Sequence, residues 1–140
     1  MALTVLSTDA KSLISDYVVT DDGISYFKSV KYSYGDAYLV GVTETGERVK
    51  FLRDEIKSFR KEGDVFRKTK FIENGTGCDN CVFMRLIHSR HGFSLCMYDC
   101  LDNNGEPMKR CFVYKDDQKV LEVDNKNYKQ IISFFSLRYN

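Results

Sequence analysis

An α+β fold, with an antiparallel sheet carrying helices on one face, is what the sequence predicts, organised as two halves that each run strands and then a helix. Three observations predict it. The runs VFMRLIHS, FSLCMYDCL and RCFVYK are β-branched and aromatic, and turn residues separate them. The segment VDNKNYKQIISFF follows with apolar residues at helical spacing. In the first half, FLRDEIKSFRKEG places Leu52, Ile56 and Phe59 at i, i+4 and i+7 behind its own strand-like runs.

Near the start, Ala10, Leu13, Ile14 and Tyr17 share a helical face behind the caps Ser7, Thr8 and Asp9, which predicts a short helix ending before Val18, Val19 and Thr20. The pair Asp22-Gly23 predicts a turn. Then ISYFKSVKYSY, AYLVGVTET and RVKF form a predicted meander, joined through Gly35-Asp36 and Thr45-Gly46. A helix through FLRDEIKSFRKEG would place Lys57, Arg60 and Lys61 near its negative end and stop at Gly63. VFRKTKFI reads as one more strand, and NGTGCDN after it is the most loop-like stretch, so an internal boundary is expected near residues 73–80 of a single 1–140 domain. The second half adds a His91-Gly92 turn, the polar connection DNNGEP, the Asp116-Asp117 turn and VLEV. In the final helix Asp124 is the candidate cap, Val123 and Tyr128 the hydrophobic staple, and Tyr128, Ile131, Ile132 and Phe135 the apolar stripe expected to pack on the sheet.

Composition bounds the function. At 140 residues with 43% hydrophobic content the chain can build a core without disulfide or metal, and a net charge of +1 argues against coating nucleic acid through bulk charge. The charge is nevertheless uneven. Residues 48–70 carry nine bases against Asp54, Glu55, Glu62 and Asp64, whereas residues 1–47 carry three lysines against seven acids. Five cysteines, an odd number, together with an N-terminus lacking signal-peptide character, predict an intracellular, reduced protein, and no apolar run is long enough for a membrane span.

In the second half Tyr98, Asp99, Asp102, Gly105, Glu106, Lys109 and Arg110 form a hairpin-like pattern, and Leu121, Val123, Asp124 and Tyr128 a strand-to-helix junction. This half resembles the positive-cofactor-four family of transcriptional coactivators, which bind single-stranded DNA on a curved antiparallel sheet followed by one helix. The insert KDDQK and the absence of Trp depart from that family's pattern. The resemblance implies a single-stranded-DNA ligand, a transcriptional role and dimerisation through helices, with the two halves of this chain as a fused pseudo-dimer.

Basic and aromatic residues interleave on the predicted strands, including Tyr26, Lys28, Lys31, Tyr32, Arg48, Lys50, Arg67, Lys68 and Lys70. Cations that meet phosphates and rings that stack on bases are what holds an unpaired strand. The same composition also suits a solvated sheet face, where rings pack and amines stay wet.

Cys78 and Cys81, with Cys96 and Cys100, have the residue types of a four-thiolate zinc site. Cys96, Tyr98 and Cys100 alternate along one strand, however, which favours core thiols over ligands from tight turns, and no metal or cofactor is assigned. A Cys–His enzyme using Cys78 or Cys81 with His88 or His91 is not demanded by any spacing, and Gly75 and Gly77 lack the Lys and helix of a phosphate loop. Asn74-Gly75-Thr76 is formally a glycosylation acceptor, unused in a reduced compartment.

The expected function is therefore non-enzymatic: single-stranded DNA or RNA binding in transcription or replication, through Lys31, Tyr32, Lys50, Arg67, Lys68, Arg85, Tyr98, Lys109 and Arg110. The rival is a viral or phage accessory module that binds a host protein, with Phe134, Leu137 and Tyr139 as its contact and a homodimer as a further expectation.

Overall fold

A computed structural model describes residues 15–32, 37–71 and 81–137, and the chain divides into two compact units between Lys68 and Thr69. The predicted N-terminal helix falls almost entirely outside the described residues, as do the Gly35-Asp36 turn and the boundary near 73–80.

The first unit is built from strands β1 (Asp16–Thr20), β2 (Gly23–Phe27), β3 (Ser29–Lys31), β4 (Tyr38–Val42), β5 (Arg48–Leu52), β6 (Ile56–Lys61) and β7 (Asp64–Lys70), the last two residues of β7 belonging to the second unit. They pair antiparallel in the orders β7-β6-β1-β2 and β3-β4-β5. Val18, Phe27, Val30, Leu39, Ile56 and Phe59 are its buried hydrophobic residues. Phe59 stacks on Phe66 with centroids 4.9 Å apart, and Phe27 meets Phe51 edge-on at 5.7 Å.

Two particular contacts tie β3-β4-β5 to the rest of this unit. The buried carboxylate of Asp16 on β1 accepts the Val30 N–H at 3.0 Å and the Glu62 N–H at 3.1 Å. Gly41 lies under the Phe27 ring so closely that a Cβ there would stand 2.7 Å from three ring atoms. Gly41→Ala is therefore expected to cost about 1–3 kcal/mol by overpacking, seen as a lower urea midpoint with an unchanged slope.

The second unit contains β8 (Cys81–Arg90), β9 (Phe93–Leu101), β10 (Pro107–Lys115) and β11 (Gln118–Glu122), antiparallel in the order β11-β10-β9-β8, and helix α1 (Tyr128–Phe134). Strand alternation divides its apolar residues between two faces. One cluster gathers Phe71, Met84, Cys96, Tyr98, Phe112 and Tyr114. The other gathers Leu95 and Val113 with Phe135, just beyond α1, and Ile131 packs against it. The Tyr114 hydroxyl donates to the Lys70 carbonyl at 3.0 Å, and burial, with a smaller contribution from Cys96, pushes its pKa up to about 12.

This architecture corrects the expected fold class. The protein is mostly β, with one short helix among the described residues and not two strand-then-helix halves. FLRDEIKSFRKEG is the end of β5, a single 3-10 turn at Arg53–Glu55, and β6. The helical spacing of Ile56 and Phe59 has a β explanation. Opposite β6, Val19 pairs with Ser58 but Thr20 pairs with Ile56, so the extra residue Lys57 forms a bulge and Ile56 returns to the face of Phe59. A bulge converts the two-residue period of a strand into a three-residue step, which looks helical in sequence.

At the C-terminal end, α1 has only seven residues, and Asp124 caps the turn before it, its Oδ1 accepting from Lys126 N at 2.8 Å and Asn127 N at 3.0 Å. Tyr128 of the expected stripe is 37% exposed, so the apolar anchor is Phe135.

Candidate nucleic-acid interface

The three-stranded sheet presents a basic outer face because its strands are short, strictly paired and buried on one side only. Register sets Lys31 opposite Val40 and Val40 opposite Lys50, making one row across all three strands. The next row is Ser29, Val42 and Arg48, and Tyr38 faces Leu52 on the other flank. Alternation sends Val30, Leu39 and Gly41 into the core and leaves Lys31, Arg48 and Lys50 exposed on the opposite side.

Lys31 and Lys50 are two strand spacings apart, roughly 10 Å between Cα atoms, and Arg48 lies roughly 7 Å along β5 from Lys50. Tyr38 is 43% exposed, and the Lys50 ammonium stands over its ring at 4.1 Å. No carboxylate among the eight residues of this face neutralises the three cations, and no ion pair joins them to an acid among the described residues. Glu44 and Glu47, in the turn from β4 to β5, bound the basic surface at one end.

Lys31 and Lys50 are the sequence-predicted residues that the structure brings together. Arg67 is exposed on β7, opposite Ser58. Lys68 donates its amine to the Asp54 carbonyl at 3.0 Å. Tyr32 packs its ring 5.3 Å from that of Phe59, and its carbonyl accepts from Lys61. Tyr38 and Arg48 complete the platform. Arg48 was already visible as one of the interleaved bases, whereas only the β4–β5 register shows that Tyr38 belongs with it.

In the second unit the predicted residues separate. Tyr98 and Arg110 are opposite one another on the face of Phe71 and Phe112, and Tyr98 is buried at 9% exposure. Arg110 is held by Glu122 through two hydrogen bonds of 2.9 and 2.8 Å and lies over the Phe71 and Phe112 rings. Its hydrogen bond draws the Glu122 pKa down despite partial desolvation. Arg85, opposite Met97, and Lys109, opposite Asp99, belong to the other face, where Arg85 Nη2 reaches the Met97 sulfur at 2.7 Å. These four side chains do not share one platform. The hairpin residues that carry the coactivator resemblance do form the β9–β10 hairpin, with Asp102 Oδ1 closing its turn on the N–H groups of Asn104 and Glu106.

The cysteines do not converge either. Cys96 and Cys100 share a face but sit four residues apart, roughly 13 Å along β9, whereas Zn–S bonds are only about 2.3 Å long. Alternation turns Cys81 to the opposite face, and Cys78 is outside the described residues. Cys111 belongs with the Leu95 cluster, and burial pushes its thiol pKa up. His88 and Cys81 are seven residues apart on β8, roughly 24 Å, too far for a nucleophile and its base. His88 instead meets the Phe135 ring edge-on at 6.0 Å.

No protein-family model, curated protein or solved structure matches the chain. No helix among the described residues is long and apolar enough to cross a membrane.

Proposed function

We propose that the outer face of β3-β4-β5 binds single-stranded nucleic acid inside the cell, in a transcriptional or replicative setting. One observation carries the reading: Lys31, Arg48 and Lys50 are fixed by strand register on one exposed face with Tyr38 and without an acid. Phosphates would meet the three cations, and a base would stack on the Tyr38 ring. The Lys50 ammonium now over that ring is no obstacle. An exposed cation–π contact is worth about 0.5–1 kcal/mol, against about 1–3 kcal/mol for a base on an aromatic side chain. A phosphate therefore draws Lys50 off the ring while a base replaces it.

The platform covers three strands of three to five residues, so it accommodates a few nucleotides and supports modest affinity. Fluorescence anisotropy with a labelled ten-nucleotide strand tests it. Three phosphate contacts predict a slope of about −2 in log affinity against log salt. A matched duplex should bind more weakly, because its bases cannot stack on Tyr38. Absence of binding at low salt would remove the proposal.

A further inference from the structure

We infer that the cavity between the end of β2 and the β4–β5 turn is a pocket for one guanine base of the bound strand, with Glu47 accepting from its paired donors. This rests on the single-strand reading of β3-β4-β5 and adds to it a preference among bases. The cavity has a volume of about 340 Å³, room for a single base, and its lining includes Tyr26, Lys28, Thr43, Glu44 and Glu47. Tyr26 is 40% exposed and offers a ring on which a base can stack. Lys28, Glu44 and Glu47 are exposed and join no ion pair among the described residues, so their charges remain available to a ligand.

The turn that carries the carboxylates is closed by its own hydrogen bonds. The Thr43 N–H donates to the Glu47 carbonyl at 2.9 Å, the Glu47 N–H donates to Thr43 Oγ1 at 3.0 Å, and the Gly46 N–H donates to the Thr43 carbonyl at 3.0 Å. Glu47 is thereby held at both backbone groups. Its neighbour Arg48 pairs with Val42 on the basic face, so alternation turns Glu47 to the opposite side. A strand whose phosphate meets Arg48 can therefore turn one base over the end of the sheet into the cavity.

The chemistry of the lining selects the base. A carboxylate repels phosphate, so its favourable contacts with a polynucleotide are with base donors, which unstacked bases present on their Watson–Crick edge. Guanine sets two donors side by side there, N1–H and the 2-amino group, and both oxygens of one carboxylate can accept from them. Adenine and cytosine each place a ring-nitrogen acceptor beside their one amino group, and thymine flanks its single N–H with two carbonyls, so each sets an acceptor against the second carboxylate oxygen. Lys28 completes the match, because guanine O6 and N7 are acceptors that a lysine ammonium contacts. Two carboxylates alone would suit a simple cation equally well. The ammonium beside them favours a ligand that carries acceptors as well as donors.

Fluorescence anisotropy with the intact chain at low salt tests the inference, using labelled strands of ten thymidines in which one central position is varied. A central guanine should raise affinity at least about 5-fold over the all-thymidine strand, as expected for one bidentate base contact. Adenine or cytosine at that position should stay within about twofold of it. Inosine keeps N1–H, O6 and N7 but lacks the 2-amino group, and should forfeit most of the gain. In Glu47→Gln an amide donor replaces one acceptor oxygen, so the ratio of guanine to all-thymidine affinity should fall below about twofold. Equal binding of every strand would overturn the pocket and leave the basic platform standing, whereas binding of none would overturn both. A guanine gain that survives inosine or Glu47→Gln would also overturn the inference.

Discussion

Replacing Lys31 and Lys50 together by Glu is expected to abolish binding of single-stranded nucleic acid, a loss of at least about 30-fold at low salt. The two residues bracket Val40 in one row, so the double change turns a face of three cations into one with two acids and Arg48 alone. The neutral pair Lys31→Gln and Lys50→Gln is the finer measurement. Removing two of three phosphate contacts should flatten the salt slope from about −2 to about −0.7. Both lysines are exposed, and surface substitutions of this kind change stability by about 0.5 kcal/mol or less, so unfolding cannot account for the loss. Arg110→Gln is the control. Its guanidinium is committed to Glu122 and the Phe71 and Phe112 rings, so affinity should stay within about twofold of the parent. Retained binding in the Glu pair, or a large loss with Arg110→Gln, would move the site away from β3-β4-β5.

Local chemistry made the turns legible and tertiary pairing concealed the rest. Thr45-Gly46, His91-Gly92 and Asp116-Asp117 are turns because Gly46, His91, Gly92 and Asp116 adopt positive φ, which Gly, Asp and His tolerate best. The β9–β10 connection was readable as DNNGEP for the same reason, with Asp102 accepting its own downstream amides. The spacing of Ile56 and Phe59 looks helical because a bulge is a property of two strands, and its partner Val19-Thr20 lies more than thirty residues upstream. The candidate site shows the same limit. Lys31 and Lys50 are visible as strand lysines, but their shared row depends on Val40 between them. Tyr98 and Arg110 look equally suitable in sequence, yet Tyr98 is buried and Glu122 claims Arg110. Burial and ion pairing are decided by partners that no local window contains.

Asp16→Ala should destabilise the first unit by about 3–5 kcal/mol, although it removes only a carboxylate. That carboxylate serves two backbone donors. Val30 N–H on β3 and Glu62 N–H in the β6–β7 turn reach its two oxygens at 3.0 and 3.1 Å. Hydrogen bonds to charged groups contribute about 1.5–3 kcal/mol each, and a donor left unsatisfied in a buried site keeps its full desolvation cost. Ala leaves both donors without an acceptor, and Asn restores one oxygen while turning an amide N–H₂ toward the other donor. The Asn variant should therefore recover at most half of the loss, measured by urea unfolding in both. A functional consequence follows from where Val30 sits. Its neighbour Lys31 forms one end of the cationic row, so freeing the amide of Val30 loosens that end while leaving Lys50 and Arg48 in place. Asp16→Ala should lower nucleic-acid affinity by less than the Lys31 and Lys50 double reversal, under conditions where the variant remains folded. A stability loss below about 1 kcal/mol would show that solvent or a nearby group takes over both donors, and that Asp16 does not hold β3 in place.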